Sequence, residues 1–182
     1  MQNSLVRLSK FISLVLRHQP EKIGLSLDPN GWAEVDDLIQ KASHFGVHFD
    51  RSMLEKVVAE NDKKRFAFSP DGMKIRASQG HSIEVDLQFE PVSPPDVLYH
   101  GSASRFQASI LEKGLLPRSR QHVHLSKDTP TALSVGSRHG KPVVFIVKAR
   151  EMERDGLKFY LSANGVWLTE HVAAKYIELV SA

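Results

Sequence analysis

Apolar residues in the first sixty positions recur at three- and four-residue intervals, which is the spacing of an amphipathic helix. The pattern predicts a first helix over residues 5–16, with Ser4 as its N-cap and an end before Pro20. It predicts a second helix over residues 34–43 and a third helix that begins after an N-cap at Asp50. Three helices therefore come first in the chain.

The apolar period then shortens to two, which is typical of strands. Residues 65–69 and 73–77 are two such runs on either side of a Ser-Pro-Asp-Gly turn, and they predict a β-hairpin. Three helices followed by a hairpin is the order of elements in a winged helix. Residues 83–88 continue with strict alternation of apolar and polar side chains and predict a half-buried strand.

Three prolines between residues 90 and 96 mark the best candidate for a linker. The chain is therefore predicted to form two domains, residues 1–92 and residues 96–182.

The second domain is predicted to alternate short strands and helices, which indicates an α+β sheet domain. Its predicted strands cover residues 97–100, 121–125, 143–147, 159–162, 166–169 and 176–180. Its predicted helices cover residues 104–113, which end at a C-cap on Gly114, and residues 129–137. The run at residues 143–147 is apolar throughout, as is typical of the centre of a sheet.

Composition adds three constraints. The 182 residues include no cysteine, which excludes disulfides and thiolate chemistry and fits a reducing compartment. No apolar run approaches the length of a membrane span, and no cleavage site follows the first apolar stretch, so we expect a cytoplasmic protein. The net charge is only +3, but basic residues cluster at the predicted hairpin, as either a solvated surface or a contact for phosphates.

Nine histidines prompt a search for a metal site. His122 and His124 fall on one face of the predicted strand at residues 121–125. A zinc site needs at least three protein ligands, no third ligand lies at local spacing, and nearby arginines would repel the ion. We therefore predict no metal. The chain also lacks the glycine-rich loops and the nucleophile elbow of common nucleotide-binding and hydrolytic sites.

Three arginines stand at the ends of predicted elements, namely Arg17, Arg65 and Arg120. A guanidinium fork matches a phosphate and stays charged at any physiological pH. Arginines that converge on one site would bind a phosphomonoester and stabilise charge that develops on it. Arg17 and its neighbour His18 also allow a simpler interpretation, in which two cations complement the dipole of the first helix.

Four sequence blocks, in order over nearly the whole chain, carry a resemblance to one enzyme family. They are residues 14–21 with 23–25 and 31–32; residues 64–66 with 75–77 and 79–82; His100-Gly101-Ser102; and residues 120–126. Residues 165–168 and 176–177 support the C-terminal end. Together these blocks resemble the NAD-dependent tRNA (RNA) 2′-phosphotransferase family.

The resemblance implies an N-terminal winged-helix lobe that binds RNA and a C-terminal lobe with the ADP-ribosyltransferase fold, whose split β-sheet binds NAD. Members remove an internal 2′-phosphate left at an RNA splice junction. The phosphate attacks the NAD ribose and expels nicotinamide, which gives an ADP-ribosylated 2′-phospho-RNA. A neighbouring ribose hydroxyl then attacks the phosphorus. RNA leaves with a 2′-OH, and the phosphate leaves as ADP-ribose 1″,2″-cyclic phosphate. NAD is consumed as a co-substrate, and we expect a monomer.

The resemblance also assigns residues to roles. Its catalytic residues correspond to Arg17, His18, Arg65 and Arg120. Its NAD-binding residues correspond to His100, Gly101, Ser102, His124 and Ser126, with Gly101 letting the backbone approach the ligand. RNA contacts are expected from Lys64, Arg76, Gln79 and His81. Roles for Arg118, His122 and Glu170 stay open.

Two other functions fit the same residues. One is an ADP-ribosyltransferase that caps nucleic-acid phosphates and stops after the first step. The other is a winged-helix nucleic-acid-binding regulator whose second lobe senses NAD.

Overall fold

The computed structural model describes residues 2–61 and 63–180. The chain divides into two compact units, Met1–Gln88 and Phe89–Ala182, and each unit has its own hydrophobic core. Both units mix helices and strands, so the predicted α+β class is confirmed.

The first unit contains three α-helices: α1 (Gln2–Arg17), α2 (Val35–His44) and α3 (Arg51–Ala59). The predicted stripe of α1 is buried, because Leu8, Ile12 and Val15 each lie in the core. The predicted N-cap at Ser4 is wrong, since α1 begins two residues earlier and Ser4 lies inside it. The N-cap at Asp50 is confirmed, and its Oδ1 accepts the backbone N–H of Met53 at 2.8 Å.

A three-stranded antiparallel sheet completes the first unit. Its strands are β1 (Ala33–Glu34), β2 (Phe66–Phe68) and β3 (Lys74–Ala77), in the order β1-β3-β2. The predicted hairpin is confirmed, with Phe66 opposite Ala77 and Phe68 opposite Ile75. A short 3₁₀ turn at Pro20–Ile23 and strand β1 were not predicted.

The strand predicted over residues 83–88 is wrong. The alternation in burial is present, because Val85 and Leu87 are buried, but the segment joins no ladder in the described part of the chain. Its hydrogen bonds go to a turn instead. The N–H of Asp86 donates to the carbonyl of Pro29, and the side chain of Asn30 donates to the carbonyl of Asp86. Burial of one side of the segment produces the alternation of apolar and polar residues, whereas a β-strand also requires hydrogen bonds to a neighbouring strand.

The second unit contains two three-stranded antiparallel sheets. One has the order β4-β6-β9, from β4 (Leu98–Ala103), β6 (Pro142–Val147) and β9 (Ile177–Leu179). The other has the order β5-β8-β7, from β5 (Val123–Leu125), β7 (Tyr160–Leu161) and β8 (Trp167–Thr169). Strand β6 is central, as predicted. The sheets meet where Tyr99 and Ser126 exchange backbone hydrogen bonds of 2.8 and 2.7 Å.

Three α-helices accompany these sheets: α4 (Gln107–Lys113), α5 (Thr129–Gly136) and α6 (Ala149–Arg154). The C-cap at Gly114 is confirmed, with its N–H bonded to the carbonyl of Ile110. Helix α6 was not predicted. In the described part of the chain, no helix is long and apolar enough to cross a membrane.

Candidate active site

In the first unit, the C-terminal end of α1 is joined to two other segments by hydrogen bonds. Arg17 is the last residue of α1, and its Nη2 donates to the carbonyl of Arg65 at 3.3 Å. The carbonyl of Arg17 accepts the N–H of Ser82 at 2.9 Å. Nδ1 of His18 lies 2.9 Å from the hydroxyl oxygen of Ser82. These contacts bring the end of α1, the start of the hairpin and the residue 79–82 loop together.

Arg17, His18 and Arg65 line the same groove, which has a volume of about 1160 Å³. All three belong to the first unit, and two of them are permanent cations. The structure therefore brings together three of the four predicted catalytic residues. Ser82, which holds His18, was not singled out by sequence reasoning, although it ends the block at residues 79–82.

His81 lies directly behind this site, and the positive charges of the site affect its pKa. The side chain is 1% exposed, and neither ring nitrogen has a hydrogen-bond partner among the described residues. Burial, the largest cause, and the positive charges of Arg17, His18 and Arg76 together lower the pKa of His81 to about 4. The ring has no surface that RNA could touch in this conformation, so His81 has a packing and electrostatic role.

The other predicted RNA contacts lie on or near the hairpin. The guanidinium of Arg76 stacks 4.4 Å from the ring centroid of Trp32. Lys64 is exposed and adopts a left-handed backbone with a φ of 41°, where its carbonyl accepts the hydroxyl of Ser78 at 2.9 Å. Gln79 is half-buried.

In the second unit, hydrogen bonds fix the orientation of two histidine rings. Nδ1 of His100 lies 3.0 Å from the backbone carbonyl of His124, so Nδ1 must carry the proton. Burial lowers the pKa of His100, a bond to the His124 backbone opposes that shift, and the charge of Arg120 adds to it. His100 is therefore neutral at neutral pH and has an acceptor at Nε2.

Arg120 fixes the second ring. Its Nη1 lies 3.0 Å from Nδ1 of His124. A guanidinium only donates, so Nδ1 of His124 accepts and the ring proton is on Nε2. Desolvation lowers the pKa of Arg120, although its side chain is exposed by area, and the group stays charged at physiological pH. The unit thus presents one histidine acceptor and one histidine donor, a set that suits ribose hydroxyl groups.

Gly101 has a packing role that the sequence did not reveal. A Cβ at this position would lie 1.7 Å from the carbonyl oxygen of Ala132, which belongs to α5. A Cβ at Gly136 would lie 2.8 Å from the carbonyl oxygen of Ser102. The close approach of α5 therefore explains why this position lacks a Cβ, and the contact of the Gly101 backbone with NAD stays a prediction. Ser102 is half-buried on the next position of β4, and Ser126 pairs through its backbone with Tyr99.

The residues whose roles were open make structural contacts. His122 lies just before β5 and packs edge-on to Phe89 and Tyr160, at 6.4 and 5.6 Å between ring centroids. Burial lowers the pKa of His122, and the charge of Glu170 opposes that shift. Arg118 stacks 5.0 Å from the ring centroid of Phe106. Across residues 2–61 and 63–180, no group of three or more His, Asp or Glu side chains is arranged to hold a metal ion.

Comparisons with known proteins agree over almost the full length. A sequence model of the family described as "RNA 2'-phosphotransferase, Tpt1 / KptA family" matches residues 3–171. A protein of Acaryochloris marina named "Probable RNA 2'-phosphotransferase" is 55% identical over 176 residues, which cover 97% of each chain. Proteins with the same name from Flavobacterium johnsoniae and Agrobacterium fabrum are 56% and 59% identical, over 99% and 93% of this chain and 99% and 91% of their own.

Proposed function

The chain belongs to the RNA 2′-phosphotransferase, Tpt1 / KptA family, and on this basis we propose that it removes an internal 2′-phosphate from RNA by transferring it to NAD. We propose that the first unit is the winged-helix lobe that binds RNA and that the second is the ADP-ribosyltransferase-like lobe that binds NAD. The order of three helices and a hairpin supports the first assignment. The two small sheets joined at Tyr99 and Ser126 support the second.

The observation that carries the proposal is the meeting of Arg17, His18 and Arg65 in one groove. A 2′-phosphate is a monoester with nearly two negative charges, and two guanidinium groups can bind it through charge-assisted hydrogen bonds. Burial is the main cause of the lowered pKa of His81, and the charges of Arg17, His18 and Arg76 add to it, which supports a positive potential there. An RNA phosphate is already a nucleophile, so the first step needs no general base.

Two steps account for the products. In the first step an oxygen of the 2′-phosphate forms a bond to C1″ of the NAD ribose, and the bond to nicotinamide breaks. In the second step O2″ of that ribose attacks the phosphorus, and the bond from phosphorus to the RNA 2′-oxygen breaks. The RNA oxygen gains a proton, and ADP-ribose 1″,2″-cyclic phosphate leaves. Arg17, Arg65 and Arg120 are proposed to stabilise the charge on phosphorus in the second step, and His18 to donate to a phosphate oxygen or to orient the ribose hydroxyl.

The donor set of the second unit fits an NAD ribose. Nε2 of His100 is an acceptor, Nε2 of His124 carries a proton, and Ser102 offers a hydroxyl on the same strand as His100. We propose these three with Ser126 as the NAD-binding residues. We propose that the backbone of Gly101 also hydrogen-bonds NAD, while its missing Cβ makes room for α5 beside β4.

RNA is proposed to contact Lys64, Arg76 and Gln79, with His81 supporting them from the interior. We further propose that the protein works as a monomer in the cytoplasm. The absence of cysteine suits that compartment.

A direct assay tests the proposal. Purified protein is mixed with NAD and a short RNA that carries one internal 2′-phosphate, and the products are separated by mass-resolved chromatography. We expect nicotinamide, RNA with a 2′-OH and ADP-ribose 1″,2″-cyclic phosphate. Nicotinamide with an accumulating ADP-ribosylated RNA would indicate the capping transferase instead. Unchanged RNA and NAD would reject the proposal and favour a binding protein.

Arg65→Lys sharpens the assay because lysine keeps the charge and loses the guanidinium fork. We expect kcat to fall by about 100-fold. The matched control is Arg7→Lys, an exposed position on α1 that does not line the groove. Equal rates for the two variants would contradict the role of Arg65.

A further inference from the structure

The groove that holds Arg17 and Arg65 has a charged rim that the two proposed chemical steps do not use. Lys10, Lys56 and Lys63 also line it, and Glu60 is the only carboxylate among its described lining residues. Between the described residues of the first unit, ion pairs join Lys41, Arg51 and Lys74 to carboxylates, and none of these pairs involves Lys10 or Lys56. The described lining residues of the groove therefore carry an excess of positive charge.

The wall of the groove is apolar. It is formed by Leu5, Val6 and Leu14 from α1, and Val57 from α3 is buried beneath it. Val6 is 52% exposed, although α1 already buries a separate stripe in the core. An apolar wall beside a cationic rim is the pairing that single-stranded nucleic acid requires, because its bases are flat and apolar on their faces and its backbone is anionic.

Hydrogen bonds hold the two sides of this groove together. The side chain of Asn61, which follows α3, donates to the hydroxyl of Ser9 on α1 at 3.3 Å. The oxygen of the same side chain accepts the N–H of Lys63 at 3.1 Å, and the carbonyl of Asn61 accepts the N–H of Lys64 at 2.8 Å. The spacing between the basic residues of α1 and those after α3 is thus built into the unit.

The spacing along α1 also matches a strand of RNA. Lys10 and Arg17 are seven residues apart, which is roughly 10 Å of helix. A stacked strand carries one phosphate per roughly 3.4 Å, so that distance corresponds to about three nucleotides. If Arg17 holds the 2′-phosphate, Lys10 reaches a backbone phosphate a few nucleotides away.

We propose that the groove between α1 and α3 binds the single-stranded RNA that flanks the 2′-phosphorylated nucleotide. Lys10 and Lys56 contact backbone phosphates, and the wall formed by Leu5, Val6 and Leu14 contacts the bases. The assignment rests on the proposed function for the position of the 2′-phosphate. The positive charge of the groove and its apolar wall are the observations that favour single-stranded RNA as its ligand.

The first test measures binding without catalysis. A fluorescein-labelled ten-nucleotide RNA of mixed sequence, with no 2′-phosphate, is titrated with protein at several salt concentrations and followed by fluorescence anisotropy. The double variant Lys10→Gln, Lys56→Gln should raise Kd by about tenfold and reduce the slope of log K against log salt by about 1.4, which is two phosphate contacts. The control Lys22→Gln, Lys113→Gln removes two exposed lysines that do not line the groove and should change neither value.

The second test separates this inference from the proposed function. With a 2′-phosphorylated trinucleotide and NAD, the double variant should match the parent in kcat and KM. With a 2′-phosphorylated ten-nucleotide RNA, KM should rise by about tenfold while kcat stays unchanged. If the parent processes both substrates and the double variant does the same with equal KM, the inference fails and the proposed function stands.

Other outcomes are equally decisive. If the parent processes neither substrate, the proposed function fails, and anisotropy still decides whether the groove binds RNA. An unchanged Kd and salt slope in the double variant would overturn the inference and would leave a protein ligand as the occupant of the groove.

Discussion

Replacing Gly101 with alanine tests whether this glycine serves packing or ligand access. The added Cβ would lie 1.7 Å from the carbonyl oxygen of Ala132 and 2.5 Å from its carbonyl carbon, well inside the 3.0 Å below which such contacts are essentially never seen. The obstructing atoms belong to a helix backbone. Helix α5 is capped by Asp128, whose Oδ1 accepts the N–H of Thr131 at 2.7 Å and stabilises its first turn.

The expected cost follows from these contacts. Overpacking by a methyl group costs about 1–3 kcal/mol where side chains can adjust, and a backbone neighbour places Gly101→Ala at the upper end of that range. The lower entropy of alanine in the unfolded chain offsets roughly 0.5–1 kcal/mol. We therefore expect the free energy of unfolding of the second unit to fall by about 2–2.5 kcal/mol.

Urea denaturation measures this change. Trp167 is 9% exposed on β8 and reports on the second unit, so its fluorescence is followed in a Trp32→Phe background. With m near 1–3 kcal/mol per molar, the midpoint should fall by about 0.7–2.5 M. The control Gly156→Ala has a φ of 89° and nothing within 4 Å of the added Cβ, so it reports backbone strain alone. An unchanged midpoint for Gly101→Ala, together with lost turnover, would refute the packing role and restore ligand access.

Two further predictions concern the histidines and arginines near the site. Folding lowers the pKa of His81 from 6.5 to about 4, so the unfolded chain binds the proton more tightly, and the free energy of unfolding of the first unit should fall by up to about 3 kcal/mol as the pH falls from 6.5 to 4. In His81→Leu the urea midpoints at pH 7 and pH 4.5 should lie closer together than in the parent protein. An equal pH dependence in both proteins would contradict this prediction. Arg120→Lys loses the planar donor to His124, so kcat should fall by about 10- to 100-fold. The control Arg118→Lys alters only a stack on Phe106 and should keep the kinetics of the parent protein. A larger loss of kcat in Arg118→Lys than in Arg120→Lys would show that Arg118 is the catalytic arginine.

Local patterns predicted the elements whose residues are close in sequence. The buried stripe of α1, the N-cap at Asp50 and the hairpin each depend on a short run of residues, and all three are confirmed. Strand β6 was predicted at the centre of a sheet from its apolar run alone, and it lies between β4 and β9. In these cases the same few residues determine both the pattern and the structure.

Contacts between distant segments could not be predicted in this way. The segment at residues 83–88 has the alternation of a strand, but its backbone bonds go to Pro29 and Asn30, more than fifty residues earlier. The space around Gly101 is filled by α5, which begins at Thr129. A glycine admits a ligand or a helix equally well, and no local signal distinguishes the two.

The candidate site likewise has features that the sequence could predict and features that depend on contacts between distant segments. The family resemblance identified Arg17, His18 and Arg65 as residues, and the structure adds that the first and last meet through a side-chain bond to a carbonyl. Because every residue has a backbone carbonyl, no residue type in the sequence indicates that hydrogen bond. Lys63 belongs to the basic cluster that was predicted at the hairpin. Ser82, Lys10 and Lys56 were missed because their places at the site depend on segments distant in sequence, although the seven-residue interval from Lys10 to Arg17 on one helix was a usable signal.

Arg17 joins three segments of the first unit, because its side chain bonds to the carbonyl of Arg65 and its own carbonyl bonds to Ser82. A protein that must keep this arginine for its architecture keeps its charge at the groove as well. Selection for stability and selection for phosphate binding would then act on the same residue, so substitutions of Arg17 would be disfavoured for both reasons.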